Sequence, residues 1–412
     1  ITSSHSRLTL NPEMSCPIQP IAYVLLDLDG TLIDTETLVT SVAQKVLAKW
    51  DTKLTPDAHK AALGKRPLEA WAVVAQMLGL DGKTTAQELL ESSEVLLTEQ
   101  WCDAGFLPGA MRLVRHLAHH QVPFAIATST PRATFLRKLA CKPELHRLVS
   151  HLAVCGDEVV NGKPAPDTFL QAAKMLGAQD MSRVLVIEDA PSGVEAALAA
   201  GMQVIKVPSL RECKEQAGVG ITVLPSLLAM RPEVWGLPAF SDSIAGVVPM
   251  DEPVHIRGKV VTGFGRGSKD LGIPTANVDP AGLVECLADA VTGVYCGFAS
   301  VGTSEEVHQM VMSIGYNPHF SNEQASAKTA EPWILHEFKE PFYGQEIRLL
   351  ITGYLRAEGA FTSLQALIDR IHQDAADSAL ALVDPVHAGL RCDSRLLPGE
   401  AAMKLAQACG QS

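Results

Sequence analysis

Two carboxylates, Asp27 and Asp29, stand two residues apart directly after the apolar run YVLL. On an extended chain such residues face the same way, so both can meet one phosphate. Two acids this close stay ionised together when a divalent cation such as Mg²⁺ joins them. Gly30 and Thr31 follow and predict a tight turn. A second apolar run ends in Thr128 and Ser129, hydroxyls able to hold a phosphate oxygen, whereas Thr130 and Pro131 read as the cap and first residue of a helix. Lys163 lies in the proline-bounded loop NGKPAPDTF, and a further apolar run, VLVIEDA, ends in Glu188 and Asp189. Singly, each of these has an ordinary reading as a solvated or capping group. Their order, two acids, a hydroxyl, a lysine and an acid pair, each at or beside a strand end, points to phosphoryl chemistry.

The second half of the chain carries a different set. In TGFGRGSKDLGIPTAN, Gly263, Gly265 and Gly267 let backbone N–H groups approach a phosphate, and Arg266 and Lys269 add charge. The spacing is not that of the G-x-x-x-x-G-K-[ST] loop. Thr275 and Asn277 offer neutral oxygens suited to a Mg²⁺ ion already carried by phosphates.

These groups need rigid elements to position them. From Ile21, continuous apolar runs alternate with helical stretches, which predicts an α/β doubly wound parallel sheet over residues 21–239. Its first and second strands are separated by a stretch of helical texture too long for a crossover, which predicts an inserted helical cap at about 35–106. In this cap Lys65 and Arg66 are candidate substrate contacts, with two solvated bases as the alternative. Pro and Gly gather over 240–253, a linker, and short runs such as TGVYCGFASV and IRLLITGYLR then predict a small antiparallel β-barrel with a C-terminal helix over 254–385. Residues 386–412 read as a tail. Residues 1–20 read as a disordered leader, with the end of a transit peptide as the alternative.

With 47% hydrophobic and 19% charged residues in 412, the chain can bury more than one core. No apolar run is long enough to cross a bilayer, and a net charge of −12 argues against a nucleic-acid partner. Nine cysteines, odd in number and scattered, predict reduced thiols and a cytosolic setting. The sequence carries no signal of oligomeric state.

The first constellation resembles the haloacid-dehalogenase-like phosphohydrolase superfamily over about Ile21 to Pro208. That resemblance implies Asp27 as the nucleophile that forms an aspartyl-phosphate and Asp29 as general acid and base. It further implies Thr128 as phosphoryl contact, Lys163 as charge balance, and Glu188 with Asp189 as ligands positioning Mg²⁺ beside Asp27 and Asp29. Phosphosugar mutases share these motifs. The segments PTAN, SIGYNPHF, EPWILHEF and FYGQEIRLLITGYLR, in that order, resemble riboflavin kinases from about His255 to Asp374. This implies ATP as donor, riboflavin as acceptor and FMN as product. It also implies Thr275 and Asn277 at the metal, the Gly263–Lys269 loop over the ATP phosphates, Glu331 as the base, and Arg356 as a flavin or phosphate contact. The pairing resembles the bifunctional FMN hydrolase and riboflavin kinase family of plants and algae, so the expected first reaction is FMN hydrolysis. Two alternatives stay open: another small phosphometabolite such as a sugar phosphate, or an inactive regulatory module.

Overall fold

The computed structural model describes residues 20–208, 220–262, 273–283, 287, 290–316 and 328–399. Its first half is built on six parallel strands in the order β3-β2-β1-β4-β5-β6. They are β1 (Tyr23–Leu26), β2 (Phe124–Ala127), β3 (Ala153–Val154), β4 (Val184–Glu188), β5 (Gln203–Lys206) and β6 (Ile221–Val223). Side chains alternate across a strand, so Leu26, Ile126 and Ile187 enter one core while Leu25, Ala125 and Val186 enter another on the opposite face. Both faces are covered, which is why the strands read as unbroken apolar runs. The chain order reverses at β1, where neighbours β2 and β4 diverge, and doubly wound sheets hold ligands at the carboxyl ends of such strands.

The cap consists of α1 (Glu36–Leu47), α2 (Pro56–Ala62), α3 (Pro67–Met77) and α4 (Ala86–Leu97). It has its own core of Val42, Val46, Trp71, Val74, Leu89 and Trp101. The chain leaves and re-enters the α/β unit at one place: Ile33 bridges Phe106, and the Asp34 N–H donates to the Gly105 carbonyl at 2.9 Å. After the cap come α5 (Ala110–His119), α6 (Arg132–Ala140), α7 (Pro143–Val149), α8 (Asp167–Met175) and α9 (Pro191–Ala199).

The second half is an antiparallel sheet in the order β11-β10-β9-β12-β7-β8. Its strands are β7 (Val248–Val261), β8 (Asn277–Val278), β9 (Gly293–Val301), β10 (His308–Tyr316), β11 (Lys328–Ile334) and β12 (Glu346–Arg356). The two ends of the sheet meet where the Ala276 N–H donates to the Pro332 carbonyl at 2.8 Å, which nearly closes a six-stranded barrel around Tyr295, Met310, Ile314, Leu349 and Tyr354. Helix α10 (Leu364–Ala381) lies outside it.

Three expectations change. The linker ends earlier than its prolines suggest: Pro249 and Pro253 lie within β7, whose first half is paired only with β12 and therefore tolerates residues without an N–H. Residues beyond Pro385 are not a loose tail as far as 399. α11 (Pro385–Ala388) and the turns after it pack on the barrel, burying His387 and Leu396. Cys102 and Cys141 form a disulfide, because the chain returning from the cap passes the end of α6 with the two Cα atoms 5.4 Å apart; among the described residues Cys155, Cys296 and Cys392 are free. No helix among the described residues is long and apolar enough to cross a membrane.

Arg348 ties these late turns to the barrel. It is 2% exposed, and its Nε donates to Ser300 Oγ and the Leu396 carbonyl, both at 3.0 Å, while Nη2 donates to the Gly302 carbonyl at 2.8 Å. Arg348→Met removes donors from buried carbonyls and should cost the barrel roughly 3 kcal/mol in urea unfolding; a loss below about 1 kcal/mol would show that these bonds are not structural.

Candidate active sites

β1 and β4 deliver their acids to the same end of the sheet. The Asp27 N–H continues the ladder to the Ile187 carbonyl at 3.0 Å, which sets Asp27 beside Glu188 and Asp189. Lys163 Nζ, buried, donates to Asp27 at 2.5 Å and to Glu188 Oε1 at 2.7 Å. Glu188 Oε2 accepts from the Ala190 N–H at 2.7 Å. Gly193 and Gly30 leave space that this cluster occupies: a β-carbon on Gly193 would collide with the Glu188 carboxylate, and one on Gly30 with that of Asp189. Gly30 also has φ of +79°, a region that glycine adopts without strain.

Oxygens of Asp27, Glu188 and Asp189 lie within 4.8 Å of one another. Burial pushes the Asp27 carboxyl up to about 7, opposed by the Lys163 charge and assisted by Glu188 and Asp29. Burial, then Glu188 and Asp27, raise Asp189 well above the usual carboxylate range. Burial works against the Lys163 ammonium, yet Asp27 and Glu188 hold its pKa above the ordinary lysine value. Three buried acids thus share one ammonium. A divalent cation bound by oxygens fits this donor set, and its binding would release protons.

The carboxylate of Asp29 is not grouped with those three and is held by other donors. Its Oδ1 accepts from Thr35 Oγ1 at 2.9 Å and Lys138 Nζ at 2.6 Å, and its Oδ2 from Thr130 Oγ1 at 2.6 Å. Burial alone would raise its pKa, but the Lys138 charge and these donors bring it below the usual value. Thr130 is therefore not the helix cap expected of it; α6 starts at Arg132 with Pro131 before it, and the Arg132 N–H is met by Asp157 Oδ1 at 2.9 Å. Thr128 is buried at the end of β2, its Oγ1 accepting from the Thr130 N–H at 3.1 Å.

The cap closes over these groups. Arg66 donates from Nη2 to the Val159 carbonyl at 2.7 Å and from Nη1 to the Val160 carbonyl at 3.1 Å. Ser129 Oγ donates to the Gly64 carbonyl at 2.7 Å, and Ser192 Oγ to the Leu63 carbonyl at 2.8 Å. Arg66, through Nη1 and Nη2, and Ser129, through its hydroxyl, latch the cap to the α/β unit, while Arg66 Nε is buried without a partner; Lys65 lies on the wall of the cavity. That cavity, about 220 Å³, is walled by Trp71, Val74, Leu97 and Trp101 and opens onto Asp27, Asp29 and Thr128.

In the barrel, the bond from Ala276 to Pro332 carries Thr275 and Asn277 to the strand that bears Glu331. Ala330 and Ile334 point into the core, so Glu331 and Trp333 share the outer face. Desolvation raises the Glu331 pKa although the residue is exposed. Thr275 and Trp333 line a cleft of about 940 Å³ rimmed by Phe338, Phe342 and Tyr343. Arg356 is engaged elsewhere: its guanidinium grips Asp374 of α10 at 2.7 Å and fastens that helix to the barrel. Gly263, Gly265, Arg266, Gly267 and Lys269 lie outside the described residues.

Residues 21–201 match the haloacid dehalogenase-like hydrolase family, and residues 250–382 match the riboflavin kinase family. A bifunctional riboflavin kinase/FMN phosphatase of Arabidopsis thaliana is 43% identical over 373 residues, spanning 90% of this chain and 96% of that one. The chain belongs to that bifunctional family. Each half also has separate relatives. Mitochondrial (DL)-glycerol-3-phosphatase 1 of Arabidopsis thaliana is 40% identical over 54% of this chain and 76% of its own length. Riboflavin kinase of Mus musculus is 50% identical over 34% of this chain and 89% of its own.

Sequence reasoning passed over Lys138, Thr35 and the cavity tryptophans. A lysine in a helix reads as solvated, and no local signal marks Lys138 as buried. The packing of Gly193 against Glu188 yields a test. Gly193→Ala should displace Glu188 and lower phosphatase activity at least roughly hundredfold, with kinase activity unchanged; wild-type phosphatase turnover in this variant would mean that the Glu188 position is not critical.

Proposed function

We propose that the chain makes and breaks the same phosphate ester, phosphorylating riboflavin to FMN with its barrel and hydrolysing FMN with its capped α/β half. The observation that carries the hydrolase assignment is the aromatic-walled cavity opening onto Asp27 and Asp29. At about 220 Å³ it exceeds several times the roughly 30 Å³ of one liquid water. The aromatic and aliphatic part of its wall, Trp71, Val74, Leu97 and Trp101, suits a planar ring system, and His59, Ser93, Glu94 and Thr98 on the same wall offer partners to ribityl hydroxyls.

In this reading Asp27 attacks phosphorus, the bond to the ester oxygen breaks, and Asp29 gives its proton to the departing riboflavin oxygen. Water then attacks the aspartyl-phosphate, freeing phosphate and restoring the Asp27 carboxylate. Lys163 and the Thr128 hydroxyl meet charge that builds on the phosphoryl oxygens. Asp27, Glu188 and Asp189 would hold Mg²⁺, which supplies further neutralisation of that charge. In the barrel, Thr275 and Asn277 would hold Mg²⁺ carried by ATP, and Glu331 takes the proton of the ribityl 5′-hydroxyl as it attacks the γ-phosphoryl group. The aromatic-rimmed cleft beside Thr275 and Trp333 supports nucleotide binding.

The decisive experiment gives the full-length protein FMN with Mg²⁺, and riboflavin with ATP and Mg²⁺. Asp27→Asn should abolish hydrolysis and spare phosphorylation, and Glu331→Gln the reverse. Joint loss in either variant would refute two independent sites. FMN should exceed glycerol 3-phosphate in kcat/KM by at least roughly tenfold; a preference for glycerol 3-phosphate would end the FMN reading.

The kinase should also respond to pH through Glu331. A base works when ionised, and desolvation raises this carboxyl. Activity should therefore be lost as pH falls through a value above the ordinary glutamate range, and Glu331→Gln should flatten that limb. An acid limb at the ordinary glutamate position would remove the desolvation argument.

A further inference from the structure

Lys138 belongs to none of the recognised motifs, yet it is 4% exposed and stands beside the reacting groups. Its Nζ donates to Asp29 Oδ1 at 2.6 Å and to Thr130 Oγ1 at 2.9 Å, and Thr130 Oγ1 donates in turn to Asp29 Oδ2 at 2.6 Å. The three side chains close a ring of hydrogen bonds that fixes the plane of the Asp29 carboxylate. On the far side the ammonium lies 4.4 Å from the centre of the Trp101 ring, a cation–π contact from the chain returning from the cap. The disulfide between Cys102 and Cys141 joins the residue after Trp101 to the end of α6, three residues past Lys138. Lys163 already attends to Asp27, so Lys138 is a second buried cation with a separate task.

We propose that Lys138 is the positioning residue that aims Asp29 at water in the second half of the phosphatase reaction. The proposal rests on the phosphatase reading above. A carboxylate that accepts from Thr35, Thr130 and Lys138 is presented as an acceptor, which is the form that takes a proton. In that half-reaction a water O–H gives its proton to Asp29, the water oxygen bonds to phosphorus, and the bond from phosphorus to the Asp27 oxygen breaks. The products are inorganic phosphate and free Asp27. With Lys138 absent, Thr130 loses its donor and Asp29 can rotate, so the attack of water, which needs an aimed carboxylate, slows more than formation of the phosphoenzyme. Because Trp101 comes from the cap, the aim of Asp29 is tied to the closed cap.

The test uses full-length Lys138→Met with FMN and with p-nitrophenyl phosphate, which share one phosphoenzyme but differ in leaving group. The kcat values for both should fall roughly ten- to hundredfold and converge on one number. KM should fall with kcat, and a burst of riboflavin or p-nitrophenolate matching the enzyme concentration should precede the slow phase. Riboflavin phosphorylation should stay at the wild-type rate. In Lys138→Ala, added methylammonium should restore turnover. A raised KM with kcat retained would make Lys138 a substrate contact and overturn the proposal. So would a loss without a burst that leaves the two substrates at different rates, or a Lys138→Ala enzyme that methylammonium does not rescue. If wild-type protein ignores FMN but cleaves p-nitrophenyl phosphate, the FMN reading alone has failed, and the p-nitrophenolate burst decides the role of Lys138.

Discussion

One ammonium shared between two buried carboxylates sets the architecture of the hydrolase half. Lys163 reaches Asp27 and Glu188 from a loop far away in sequence, at 2.5 and 2.7 Å, with Asp189 packed alongside. Removing such groups from water is costly unless each is paired, and one cation does not balance three acids. The remainder of the site follows from that imbalance. Gly193 must lack a side chain to admit Glu188, Gly30 must turn without one beside Asp189, and the Ala190 N–H must face a carboxylate. A fold that needed only stability would have no reason to gather this charge at the carboxyl end of β1 and β4. Perturbed carboxyls in a cleft are a mark of function.

The barrel solves a different problem. Its Glu331 is exposed, and its cleft is open and aromatic. The element that counts here is the bond from Ala276 to Pro332, because it brings a loop and a strand more than fifty residues apart in sequence to one edge. Near-closure of the sheet removes most of its unpaired edge and delivers Thr275 and Glu331 to neighbouring positions in the same step. Asp374 then occupies Arg356 and seats α10 against the barrel, so a residue that looked free to bind a ligand is a fastening.

What was legible in the sequence was whatever local pattern determines. Parallel strands buried on both faces must be apolar throughout, and acids at their ends stand out against that background; Asp27, Asp29, Glu188 and Asp189 were readable for this reason. Lys163 was readable only through the order of its neighbours. Long-range pairing was not readable. Lys138 looks like any helical lysine until α6 is laid beside Asp29, and Thr130 before a proline looks like a cap. Cys102 and Cys141 carry no spacing signal, and Leu396 needs the barrel surface to show that it is buried. Pro249 and Pro253 misled in the other direction, because proline opposes a strand only where its N–H would be used.

The latch between cap and sheet bears on turnover in the hydrolase half. Arg66, Ser129 and Ser192 hold the cap through hydrogen bonds to backbone carbonyls, and no ion pair to the sheet is made by these side chains. Each such bond contributes on the order of 1 kcal/mol net, so together they bias closure without locking it. In the closed arrangement Trp101 lies over Lys138, 4.4 Å from its ammonium, so release of the latch would loosen that contact along with the cap. A cap held by a few kcal/mol can open and close on the timescale of turnover.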